Sequence, residues 1–267
     1  MADEQGKAEG PAGADSTEQS FLSHLLELRD RLLRAALSII LVLLALMPFA
    51  NQVYEYLSRP LLDQIKSTGG QMLATSVVSP FMAPFKLVCF VSVMISAPYL
   101  FYQLWAFIAP GLYRHEKRLA LPLLVSSTLL FYCGIAFARF VLFPLVFSFL
   151  AAIQLEGVSY APDINEFLDF AMLMFFAFGL AFEVPVATFL LVRTGITTRQ
   201  SLAEKRPYIV VGAFVVAAIL TPPDPISQTL MAVPMWLLYE SGMLFCRLFI
   251  REETAGSETE EKALTRR

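Results

Sequence analysis

Long apolar runs, broken by short polar or proline-rich stretches, dominate this chain from about residue 33 to residue 246. A helix rises about 1.5 Å per residue, so roughly 20 apolar residues cross the hydrocarbon of a bilayer. The chain is 57% apolar and 16% charged, against about 25% charged for a soluble domain. That is more apolar surface than one water-soluble core can hide. The expected class is an all-α integral membrane protein.

Six spans are predicted, at about 33–50, 85–109, 119–148, 166–192, 207–221 and 226–246. Segment 21–34, FLSHLLELRDRLLR, is a short amphipathic helix that runs without a breaker into the first span. Leu25, Leu28 and Leu32 fall on one stripe, and Glu27, Arg31 and Arg34 on another. Pro98 should bend the second span, and Pro122 and Pro144 lie in the third. The fourth is interrupted by Glu183 and Pro185. The fifth ends at Pro222-Pro223-Asp224-Pro225 after too few residues for a full crossing, so the last hairpin is short. Residues 51–84, with the Gly69-Gly70 pair and several prolines, are expected to be a loop with short helical pieces. Residues 1–20 and 251–267 are polar and are expected to be disordered tails around a 21–250 membrane domain.

All lysines and arginines except Arg59, Lys66, Lys86 and Arg139 lie before residue 35, after residue 246, or in the 110–118 and 193–206 loops. The positive-inside rule then places both termini and those loops in the cytoplasm. Arg139, in the outer part of the third span, either snorkels outward or pairs with an acid. No broad basic patch suggests nucleic acid. Cys89, Cys133 and Cys246 are isolated in apolar runs, without metal-ligand spacing. The only histidines, His24 and His115, sit at span edges, and no nucleotide, zinc-hydrolase or serine-hydrolase motif is visible. Neither a catalytic constellation nor a cofactor is expected.

Three groups of polar residues need explaining. Glu116 stands among Arg114, Lys117 and Arg118, beside the apolar floor of Phe107, Pro110, Leu112 and Tyr113. One reading is a solvated loop ion pair. The other is a site for a peptide carrying arginines and then an apolar stretch, since a carboxylate grips guanidinium in a bidentate fork that lysine cannot copy. Glu27 supplies a second acid if the first helix packs alongside. Glu183 lies inside a span, where a charge costs roughly 2.5–3.5 kcal/mol. It lines a groove or makes an interhelical hydrogen bond. Thr221 and Gln228 flank the outer turn, as cap chemistry or as a patch for another transmembrane helix.

The stretches SHLLELRDRLL, SAPYLFYQLWAFIAPGLYRHEKR, LPLLVSS, FGLAFEVPVA, KRPYIVVGAFVVAAILTPPD and SQTLMAVPM occur in this order over about 21–250 and resemble the TatC family. The resemblance implies a cupped bundle of six helices, and the multispanning core subunit of the twin-arginine translocase of the bacterial inner membrane. It implies recognition of twin-arginine signal peptides on folded cargo, the single-span partners TatA and TatB, self-association within the complex, and drive by the proton-motive force. By motif, Glu116, Phe107, Glu27 and Arg29 would bind the signal peptide. Pro60 would lie in a sensitive outer loop, Glu183 would face the concave side, and Thr221, Asp224 and Gln228 would dock partner helices. The alternative is a secondary transporter of a small solute centred on Glu183. The absence of an internal repeat speaks against it.

Overall fold

A computed structural model describes residues 12–67, 73, 76–108, 120–152, 163–221 and 224–249. Among these the chain is helical, apart from one bridging pair, Leu73 with Asp163. Helix α1 covers Ala12–Leu46, α2 Ala50–Ser67 and α3 Ser79–Ile108. Then follow α4 (Ala120–Phe137), α5 (Phe143–Ala152), α6 (Ile164–Ala181) and α7 (Val184–Arg193). A short α8 (Arg199–Glu204), α9 (Arg206–Leu220) and α10 (Pro225–Phe249) complete the bundle.

Among the described residues, five helical segments are long and apolar enough to cross a membrane: Ser23–Arg59, Ser79–Ile108, Leu121–Val146, Ile164–Arg193 and Pro225–Phe249. Helix α9 is apolar but has only 15 residues, about 22 Å of rise against roughly 30 Å of hydrocarbon. Of the six predicted spans, five have membrane-length helices among the described residues, and the fifth falls short of a crossing on its own.

Two expectations need correction. The 51–84 stretch is not mainly loop. It holds the 18-residue α2 and the first turn of α3, which begins at Ser79 rather than near 85. Helix α2 forms because its polar residues lie on one face while Tyr54 reaches the core and Ser58 is buried. Helix α1 begins at Ala12, inside the stretch expected to be a disordered tail.

The proline readings have clear local outcomes. Pro48 sits in a 3-10 turn (Met47–Phe49) that separates α1 from α2. Pro144 cannot donate to the carbonyl of Phe140, and the ladder widens into a π-turn over Ala138–Leu142, where the Phe143 N–H bonds Ala138. Pro185 likewise cannot bond Ala181. The chain tightens just before it, the Glu183 N–H bonding Leu180 at 3.0 Å, and α6 gives way to α7.

The main core lies where the α4–α5 unit, α6, α9 and α10 meet, around Leu142, Phe143, Met174, Phe178, Ala217 and Met231. Lipid tails are as apolar as leucine, so close packing, not exclusion from water, holds such helices together. Small residues permit it. A Cβ on Gly134 of α4 would lie 2.4 Å from the Phe178 carbonyl oxygen of α6. One on Gly242 of α10 would lie 2.9 Å from the Pro185 Cα of α7. Helix α1 packs mainly on α3 and leaves Leu33, Leu37, Leu41 and Leu44 exposed, a stripe suited to lipid.

Candidate functional site

The first candidate site lies where the amphipathic start of α1 meets the end of α3. The His24 ring stacks on Phe107, centroids 4.4 Å apart and planes 16° from parallel. Glu27, one turn further along α1, is thereby set beside the aromatic end of α3. Its Oε1 accepts from Arg31 Nε at 3.1 Å and Nη2 at 2.5 Å. Among the described residues, the ion-pair partner of its Oε2 is His24 Nδ1, at 3.9 Å. A carboxylate offers about four lone-pair sites, so Glu27 retains capacity for a further guanidinium. Arg29 pairs with Asp30 at 2.8 Å. Glu116 lies outside the described residues. The side chain of Pro60 does too, although its backbone is part of α2.

The second candidate is Glu183, at the break between α6 and α7. The Ser127 hydroxyl of α4 lies near the carboxylate. The Trp105 Nε1–H of α3 donates to Ser127 Oγ at 3.3 Å. Trp105 and Ser127 are buried, while Glu183 is partly exposed. Glu183 Oε1 is itself buried without a partner among the described residues. Glu183 thus stands beside the Trp105–Ser127 bond with one acceptor unspent among the described residues. Trp105, Ser127 and His24 were not singled out from the sequence. The buried indole and hydroxyl in otherwise apolar helices were the available signal, but their pairing across 22 residues was not readable.

The third group is the α9–α10 turn. Thr221 is buried and donates to Ala217 at 2.9 Å. Asp224 Oδ2 accepts the Ser227 N–H at 2.7 Å at the start of α10. Gln228 Nε2 donates across the hairpin to the Phe214 carbonyl at 2.9 Å. These groups first of all hold the hairpin closed. The structure does not bring them together with Glu27 or Phe107; they occupy the far end of α9 and α10 from the basic 193–206 loop. No cluster of three metal-ligating side chains occurs among the described residues.

A helical bundle with several membrane-length helices defines a polytopic membrane protein. The family model described as Sec-independent protein translocase protein (TatC) matches residues 23–234. The TatC of Haemophilus influenzae is 53% identical over 231 residues, covering 86% of this chain and 90% of that protein. That of Escherichia coli K12 is 53% identical over 232 residues, 87% of this chain and 90% of its own length. A crystal structure described as the twin arginine translocase receptor TatC superposes with a TM-score of 0.76 at 35% identity, over 85% of this chain and all of that one. The chain belongs to the TatC family.

Proposed function

We propose that this chain is the signal-peptide receptor and core scaffold of a twin-arginine translocase, exporting folded proteins across the bacterial inner membrane. The observation that carries the reading is the His24–Phe107 stack. It sets the incompletely used carboxylate of Glu27 beside an apolar ledge, the pairing that an arginine-led, then apolar, peptide requires. Glu116 is assigned as the main carboxylate for the arginine pair, with Glu27 and Arg29 completing the polar part and Phe107 meeting the apolar part.

In this reading the chain crosses the membrane six times, the short α9 crossing with local thinning of the bilayer. Both termini and the 193–206 loop lie in the cytoplasm, and residues 1–20 and 251–267 flank the membrane domain. Glu183 lines the concave side, and change at Pro60 impairs export. TatA- and TatB-like single-span subunits dock near Thr221, Asp224 and Gln228, and several copies assemble. The proton-motive force drives transport, with no chemistry at this chain's own side chains. The test is export of a twin-arginine reporter in cells that lack their own TatC. Wild type should restore it, and Glu116→Lys and Glu27→Lys should each abolish or strongly reduce it at equal membrane levels. Full export by both variants would remove the reading.

A further inference from the structure

A cleft of about 520 Å³ opens between α8, the start of α9 and the last third of α10. Arg199, Arg206 and Arg247 line it, with Glu240 as its acid and Met243 and Leu244 as part of its apolar wall. Arg206 Nη2 donates to Glu240 Oε2 at 2.8 Å. Arg199 and Arg247 line the cleft beside that pair, so three guanidinium groups face one acid among the described lining residues. Helix α8 is held in place, because the Tyr239 hydroxyl of α10 donates to the Leu202 carbonyl at 2.7 Å. The Arg199 backbone is thereby fixed relative to α10.

The position of the cleft matters as much as its charge. Arg206 is the first residue of α9, and Arg247 lies two residues before the end of α10. The arginines therefore stand at one end of an apolar hairpin, at the level where bilayer meets water. Leu244, Phe245 and Leu248 beside them are more than half exposed. A soluble anion needs no apolar flank. A basic pocket between membrane helices with an apolar rim suits an amphiphile with a phosphate head.

We propose that this cleft holds an anionic phospholipid of the leaflet that faces the basic loops, its phosphate on the arginines and an acyl chain along Leu244. Guanidinium suits this role because it binds phosphate in a planar fork. A lipid seated there ties α8 and α9 to α10 at their shared end. The proposal requires only that α9 and α10 lie in a bilayer. It stands or falls separately from signal-peptide recognition.

The test extracts the full-length protein gently from vesicles of phosphatidylglycerol and phosphatidylethanolamine, and counts retained lipid by native mass spectrometry. Wild type should keep phosphatidylglycerol in preference to phosphatidylethanolamine. The Arg199→Gln/Arg247→Gln double variant should retain it on the order of tenfold less, as expected from losing charge-assisted contacts. Ala203→Trp, which fills the cleft and leaves every arginine in place, should lose it similarly, and decides the matter if the double variant does not fold. Excess inorganic phosphate, against chloride at equal ionic strength, should not displace the lipid. Equal retention by wild type and the folded variants would overturn the proposal. Displacement by phosphate would overturn it too, by placing a soluble anion in the cleft. So would loss of an acidic peptide or partner, rather than lipid, from the variants.

Discussion

At the scale of single residues, the clearest dependency is the Trp105–Ser127 bond. Ser127 accepts from the indole of α3, and Glu183 lies near the same hydroxyl. Ser127→Ala leaves a buried indole N–H without its acceptor. A buried group left unsatisfied costs about 1–3 kcal/mol. Thermal unfolding in detergent should show a loss of that size, and Ser127→Thr, which keeps the hydroxyl, should lose less. Arg139 poses a different residue-scale question. Among the described residues it has no carboxylate partner, and its guanidinium lies 5.7 Å from the centre of the Phe140 ring. Of the two sequence readings, pairing with an acid and snorkelling, the structure offers no acid among those residues. The acid nearest in kind on α6, Asp169, is taken by Lys86 at 2.7 Å.

At the scale of elements, close helix approach and proline placement decide the shape. Gly134 faces backbone, not a side chain that can swing away, so Gly134→Ala must push α4 from α6. A loss of about 1–3 kcal/mol is expected from overpacking, read as a lower melting temperature in the same detergent. A matched Gly212→Ala, with open space around its Cβ, should not destabilise. Pro144→Ala restores an N–H donor next to the π-turn, so amide exchange over 138–142 should slow. The elements were legible in uneven measure. The apolar runs marked the membrane-length helices because hydrophobicity at this length has few other uses. The breaks at Pro144 and Pro185 follow from a missing donor, whereas the one at Pro48 fell inside the run predicted as the first span. Helix α2 was obscured because Pro60 and the nearby glycines suggest loop, whereas burial of Tyr54 and Ser58 against the bundle overrides local propensity. The start of α1 and the short α8 lacked any apolar run to announce them. The Trp105–Ser127 bond was illegible for another reason: its members come from two helices, and no spacing rule relates them.

At the scale of the whole molecule, the sequence pattern and the bundle describe one membrane unit with chemically different ends. One end carries His24, Glu27 and Phe107 and the arginine-lined cleft. The other carries the α9–α10 turn held by Thr221, Asp224 and Gln228. Topology is tested by single cysteines in a chain whose native cysteines are replaced. A cysteine at position 70 should react with a membrane-impermeant reagent from outside intact cells. One at Gln200 should react only after the membrane is opened. The reverse pattern would invert the proposed orientation.

The most direct measurement of the central claim is binding of a twin-arginine signal peptide to membranes containing this protein. Wild type should bind it, and should bind a peptide with both arginines changed to lysine much more weakly, because lysine lacks the bidentate fork. Glu116→Ala should lose most binding and Glu27→Ala part of it, with both variants folded and inserted. Binding that ignores the arginine-to-lysine change and both carboxylates would contradict a receptor that reads paired arginines, whatever else this bundle carries.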